Sequence, residues 1–177
     1  MRGSYQIRPA TLEDVAFLPG VELAAARLYL SQLAVTGLTQ EILDKTNSVE
    51  DFAAAQRDGL LWVAVDGQHH PVGFALLAKL EQWLHLDELD VHPDHVRRGV
   101  GTALVRQVRQ VAQAQGDLGV TLSTFRHVPW NAPFYRRLGF VEMVPEEQTA
   151  VFQALVAGEQ ARGLRTDLRL VMWFKMR

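Results

Sequence analysis

LHLDELDVHPDHVRRGVGTALV, residues 84–105, reads as a strand, a glycine-containing turn and a helix. Leu84 to Val91 mixes apolar and acidic residues in the manner of an extended segment. His92-Pro93 ends it, because proline fixes φ and offers a sheet no amide proton. A polar turn, Asp94 to Arg98, leads into Gly99-Val100-Gly101 and a long amphipathic run. There Val100, Ala103, Leu104, Val108, Val111 and Ala112 recur at helical spacing. Such a turn aims consecutive backbone N–H groups at one spot, and the helix N-terminus adds the positive end of its dipole. Glycines let a ligand come close to the backbone. With Arg97 and Arg98 beside it, the turn suits a phosphate or pyrophosphate.

An isolated Gly-x-Gly also serves as a plain strand-to-helix connection, so the ligand needs further evidence. A Walker A loop is excluded, since it requires GxxxxGK[ST] and the turn has no lysine. A dinucleotide fingerprint needs a third glycine, and position 104 is leucine. A second stretch, Asn131-Ala-Pro-Phe-Tyr-Arg-Arg-Leu-Gly-Phe140, narrows the choice. VHPDHVRRGVGTALV resembles the acetyl-coenzyme-A-binding motif of the Gcn5-related N-acetyltransferase (GNAT) superfamily, whose core is (Gln/Arg)-x-x-Gly-x-(Gly/Ala). Asn131 to Phe140 resembles that superfamily's later motif, with Tyr135 four residues before Gly139. The two motifs stand in the family's order, and the resemblance covers about residues 5–145. Val96 departs from the pattern by occupying the Gln/Arg slot. That leaves the backbone amides, helped by Arg97 and Arg98, to hold a pyrophosphate.

The resemblance implies one α/β (α+β) domain over residues 1–177, with a mixed, mostly antiparallel twisted sheet of six to seven strands and helices on both faces. Residues 146–177 add an extra helix and a final strand. It implies acetyl-coenzyme A as co-substrate, no metal, and direct acetyl transfer to an amine without an acyl-enzyme. Cofactor contacts then fall on Val96, Arg97, Arg98, Gly99, Val100, Gly101 and Thr102. Backbone groups of Leu89, Asp90 and Val91 would meet the pantetheine arm, provided their strand splays from its parallel neighbour near Thr121–Thr124. Asn131 and Phe134 are further candidates, although Asn131 also suffices as a helix cap and Phe134 as a core aromatic.

Bulk composition agrees with a folded domain. Of 177 residues, 48% are hydrophobic and 21% charged, with a net charge of −2, which gives no electrostatic footprint for nucleic acid or an anionic membrane. The chain has no cysteine, which excludes disulfides, thiolate metal sites and thiol nucleophiles, and fits a cytoplasmic location. No apolar run reaches the ~18 residues of a membrane span. MRGSYQIR at the start lacks the apolar segment of a secretory leader, and Met1–Ser4 reads equally as native sequence or as a tag remnant.

Along the chain, Tyr5 to Pro9 is a short strand, and Thr11 caps a helix that Pro19-Gly20 interrupts and Val21 to Leu33 resumes. Helices follow from Gln40 and from Val49 to Arg57. Leu60 to Val65 and Val72 to Ala78 are strands around the Asp66-Gly67 turn, with Trp83 to Val91 the third member of the meander. Gly116 stops the long helix, and Val120 to Phe125 is a strand in a right-handed parallel crossover. Asn131 caps a short helix ended by Gly139, Phe140 to Val144 is a strand, Glu146 to Arg162 is helical, and Asp167 to Met176 is the last strand. The late helix reads as acceptor rim or dimer contact, and apolar Val171 to Phe174 leaves room for a homodimer.

Acetyl transfer needs a base for the amine, donors for the oxyanion and an acid for the thiolate. Tyr135 occupies the place of the family's general-acid tyrosine; a core aromatic is the plain alternative. A regular pleat puts His85, Asp87, Leu89 and Val91 on one face and Leu84, Leu86, Glu88 and Asp90 on the other. His85 is the first base candidate, with a free pKa near ~6.5. Glu88 competes if a bulge flips the register, and Asp87 is third. His92 and His95 flank the turn without a third ligand, so a metal site is not expected.

The sequence thus points to an acetyl-coenzyme-A-dependent N-acetyltransferase acting on a primary amine of a small cationic molecule or a peptide. Its rivals are a catalytically silent acyl-coenzyme-A-binding sensor of the same fold and a nucleotide-phosphate-binding protein using the Arg97–Gly101 turn.

Overall fold

The computed structural model describes residues 5–176; Met1–Ser4, on which the leader and tag readings partly rest, and Arg177 lie outside them. β1 (Gln6–Pro9) stops at its proline, and Thr11 opens α1 (Leu12–Val15) by donating its N–H to Asp14 Oδ2 at 2.7 Å. Pro19 and Gly20 do not interrupt a helix. They lie in the first turns of α2 (Leu18–Ala26), where the N–H that proline lacks has no helical partner to lose. A 3-10 segment, Arg27–Gln32, leads to α3 (Leu33–Thr36) and α4 (Gln40–Leu43), which Thr39 caps by accepting from Ile42 N–H at 3.3 Å. α5 (Val49–Arg57) completes this helical region, capped by Ser48.

The meander is β2 (Leu61–Val65), β3 (Pro71–Leu80) and β4 (Trp83–Val91). α6 (Val100–Gln115) crosses to β5 (Gly119–Phe125), followed by α7 (Ala132–Arg137), β6 (Val141–Glu142), α8 (Ala150–Ala161) and β7 (Arg169–Lys175). Among the described residues seven strands form one sheet in the order β1-β2-β3-β4-β5-β7-β6, and every pairing is antiparallel except β4 with β5.

Apolar periodicity decides which face each helix covers. On one face Leu104, Val105 and Val108 of α6 pack on Leu84, Leu86, Leu122 and Met172. On the other, α1, α2 and α5 cover the first strands, with the Phe52 and Phe74 rings 5.1 Å apart. α8 covers the far end of that second face by burying Phe152 against Trp83 and Trp173. The apolar run of β7 is therefore not a spare dimer surface. Val171, Met172 and Trp173 are buried in a strand flanked by β5 and β6.

Two irregularities of β4 shape everything that follows. Its parallel pairing covers only Leu84–Leu86 against Val120–Leu122, so β4 and β5 part beyond those residues. The register with β3 also shifts between Leu76 and Leu77, because Leu76 pairs with Glu88 and Leu77 with Leu86. Asp87 is thus an extra residue, and one extra residue moves all later side chains to the opposite face. Leu84, Leu86, Leu89 and Val91 all meet the α6 core. His85, Glu88 and Asp90 share the other face. The regular alternation expected from the sequence, with His85 beside Leu89 and Val91, is overturned by this bulge.

Candidate active site

Where β4 leaves β5, its outer edge has no strand partner among the described residues. His92 N–H donates to Val72 O at 2.8 Å, so the antiparallel ladder directs the backbone groups of Asp90 to β3 and those of Leu89 and Val91 into the gap. Leu89 and Val91 therefore fit the expected pantetheine contacts. Asp90 does not, and it contributes its side chain on the other face instead.

The turn after β4 meets its expected geometry with one adjustment. Val96 gives its N–H to Pro93 O at 3.4 Å, and the next amide with a backbone carbonyl partner among the described residues is Ala103, which donates to Gly99 O at 2.9 Å. The amides of Arg97, Arg98, Gly99, Val100, Gly101 and Thr102 are left to one another's neighbourhood at the positive end of a 16-residue helix. Val100 is buried and offers only its amide. Gly99 has φ +88, a conformation that glycine adopts without strain. A Cβ at Gly101 would meet Phe134 at only 3.6 Å, an ordinary contact, so packing does not require glycine there. What it keeps open is approach to the loop from outside.

Arg97 is left-handed as well, at φ +60. Such a backbone costs a residue with a Cβ roughly 1 kcal/mol relative to glycine. Arg97→Gly is expected to raise stability by about that amount in denaturant titration and to weaken binding of acetyl-coenzyme A in calorimetry, because a cation beside the free amides is lost.

On the opposite side of the splay, a cleft of about 220 Å³ opens among α2, the 3-10 segment, β4, β5 and α7. Tyr135 lines it, its ring 5.0 Å from Phe134 and 5.7 Å from Phe140. Burial, then Tyr29 and Asp90, push the Tyr135 phenol far up, so it stays protonated and able to donate. Tyr29 is pushed up to about 12, chiefly by burial. Asn131 stands at the N-cap of α7 without a side-chain cap bond. Its side chain instead lies 3.0–3.1 Å from the Tyr29 hydroxyl and donates from Nδ2 to Thr124 Oγ1 at 2.7 Å. Asn131 thus ties the acceptor wall to the splayed strand.

Acids gather at the other end of the cleft. Burial raises Glu88 well above the usual carboxylate range, and the charges of Asp90 and Glu22 add to it. Asp90 is raised to about 7, again chiefly by burial. His85 is not part of this group. It is 2% exposed, its Nδ1 lies 3.0 Å from Thr121 Oγ1, and burial lowers its pKa, so it remains neutral beneath the cleft. The bulge brings Glu88 to the lining of the cleft, where His85 does not reach.

The raised Asp90 has a consequence for stability. Its folded value lies above the unfolded one, so the folded state holds the proton more tightly. The associated stability is present below the unfolded pKa and is lost as pH rises through about 7. Asp90→Asn is expected to raise the melting temperature at pH 8 by on the order of 5 °C and to change it little at pH 4.

Glu22, Tyr29, Asn47 and Arg169 join the site without a sequence motif to announce them. Arg169 crosses from β7 to hold Glu159 of α8 at 2.8 and 3.1 Å and the Ser123 carbonyl, on the freed part of β5, at 3.2 Å. α8 is therefore bolted to the cleft wall. A larger, shallower depression of about 780 Å³, lined by Arg109, Val141 and Phe174 among others, lies away from the loop amides and from Tyr135. Among the described residues no group of His, Asp and Glu gathers to hold a metal ion, and no helix is long and apolar enough to cross a membrane.

Residues 57–142, from the end of α5 to β6, match the family model of the acetyltransferase (GNAT) domain. That stretch, just under half of the chain, is similar to the acetyltransferase domain of the GNAT superfamily. A curated relative, the peptidyl-lysine N-acetyltransferase YjaB of Salmonella typhimurium, is 35% identical over 80 residues, 45% of this chain and 49% of its own. The chain thus matches about half the length of that relative. Among solved structures, the PaiA N-acetyltransferase of Thermoplasma acidophilum in complex with coenzyme A superposes with TM-score 0.74 over 98% of this chain and 99% of its own, at 17% identity. Rv2747 of Mycobacterium tuberculosis, also solved with coenzyme A, gives 0.69 over 97% and 99%, at 22% identity. These likenesses establish the GNAT fold across the last strand and α8 as well. The GNAT match itself includes the β4–α6 turn and Tyr135.

Proposed function

We propose that this protein is an acetyl-coenzyme-A-dependent N-acetyltransferase, one domain throughout, that moves the acetyl group directly to a primary amine. The observation that carries the reading is the parting of β4 and β5, with free amides at Arg97–Thr102 on one side and Tyr135 and Glu88 in one cleft on the other. The loop amides, with Arg97 and Arg98, would hold the pyrophosphate, and Leu89 and Val91 the pantetheine arm. Acetyl-coenzyme A, when bound, supplies the thioester.

Glu88, as carboxylate, accepts the proton of the ammonium, directly or through water. The freed nitrogen attacks the thioester carbonyl carbon, the C–S bond breaks, and Tyr135 donates its phenolic proton to the departing thiolate. The products are an N-acetyl amide and coenzyme A. Glu22, Glu88 and Asp90 along the cleft suit an acceptor that arrives as a cation, on a small molecule or a peptide. A chain without cysteine suits the reducing cytoplasm.

A screen of alkylamines, polyamines, amino acids and lysine peptides, read by free thiol released from acetyl-coenzyme A, tests the reading. Turnover with at least one amine is expected. Absence of turnover with all of them, with acetyl-coenzyme A bound, would leave a binding module.

A further inference from the structure

Glu22, Asn47 and Glu88 come from α2, from the loop between α4 and α5, and from β4. Asn47 donates its backbone N–H to both oxygens of Glu22, at 3.1 and 2.9 Å, and its Nδ2 approaches the same oxygens at 3.2 and 3.3 Å. The same Nδ2 donates to Glu88 Oε2 at 2.8 Å. Glu22 is 7% exposed, so these donors stand where water would otherwise solvate its charge. It receives a main-chain and a side-chain donor, whereas Glu88 receives the side chain alone. Donors favour the ionised form, and neighbouring carboxylates resist a second charge. The negative charge therefore settles on Glu22 and the exchangeable proton on Glu88.

We propose that Glu22, fixed by Asn47, is a positioning residue that keeps Glu88 as the carboxyl exchanging a proton with the acceptor amine. The proposal rests on the transferase reading above.

The surrounding groups do not reverse the order. Asp87 and Asp90, on the strand of Glu88, are acids and push it the same way as Glu22 does. Asp51 of α5 opposes charge on Glu22, but its own carboxylate is held by Ser48 at 2.7 and 3.0 Å. The cations are already paired: Lys45 with Glu41 at 3.0 Å and Arg169 with Glu159 at 2.8 Å. Tyr29, Tyr135 and His85 stay neutral through burial.

Carbon-13 NMR of side-chain-labelled glutamate, titrated in the full chain, reads this directly, with Glu22→Gln and Glu88→Gln to assign the signals. In the wild type Glu88 is expected to titrate above Glu22. In Glu22→Gln, whose amide oxygen still accepts from Asn47, the Glu88 midpoint is expected to fall by about one pH unit, with acetyl-coenzyme A binding unchanged. Glu22 titrating above Glu88 in the wild type, or an unmoved Glu88 midpoint in the variant, overturns the proposal. Should Glu22→Gln fail to fold, the wild-type order alone decides. The titration needs no acceptor, so its failure is distinct from failure of the transferase reading, which shows as absent turnover.

Discussion

Tyr135→Phe is expected to lower the turnover of acetyl transfer by about 10²- to 10⁴-fold, the usual worth of a positioned proton donor. The phenol is the group in the cleft best kept neutral, because burial and the nearby Tyr29 and Asp90 all oppose its ionisation. Phenylalanine preserves the ring packed between Phe134 and Phe140, so the fold should be unaffected. The variant should also bind acetyl-coenzyme A as the wild type does, since the loop amides and the edge of β4 are untouched. Thiol-release kinetics paired with calorimetry separates the two effects. Undiminished turnover would remove Tyr135 from the chemistry.

Glu88→Gln is expected to cost a similar ~10²- to 10⁴-fold in kcat/KM and to abolish a limb of the pH profile. The sign follows from the environment. Burial, Asp90 and Glu22 raise the Glu88 pKa, so the carboxylate that can accept a proton forms only above the ordinary range. The wild-type rate should therefore climb with pH through that raised value, and the Gln variant should lose the climb. Glutamine keeps an oxygen for Asn47 Nδ2, which guards against a merely structural defect. His85→Ala should leave the limb in place, because His85 is buried against Thr121 and outside the cleft lining.

The strands, the strand–turn–helix at residues 84–105 and the tyrosine helix could be read from local signals alone. Gly116 and Gly139 end their helices in the left-handed conformation that glycine adopts best, at φ +75 and +90. β4 falls on the boundaries its composition marks, Trp83 and Val91. The bulge at Asp87 could not be read, because Leu-His-Leu-Asp-Glu-Leu-Asp-Val fits a regular pleat equally well. The slip exists only against β3, and it brings Glu88 and Asp90 onto the face of His85. Pro19-Gly20 misled for a related reason, since the same pair that breaks a helix interior is well placed in its first turn.

Glu22, Asn47 and Arg169 are ordinary residues within their own segments. Glu22 alone left a trace, as an acid inside an apolar run from Val21 to Ala26. Asn131 was found at its cap position, but Tyr29 and Thr124 compete for its side chain, and both are remote from α7.

A crystal structure with acetyl-coenzyme A tests the central claim most directly. The pyrophosphate should lie on the amides between Arg97 and Thr102, the pantetheine arm along Leu89 and Val91, and the sulfur within hydrogen-bond reach of the Tyr135 hydroxyl. A diphosphate bound elsewhere, with the sulfur far from Tyr135, would contradict it.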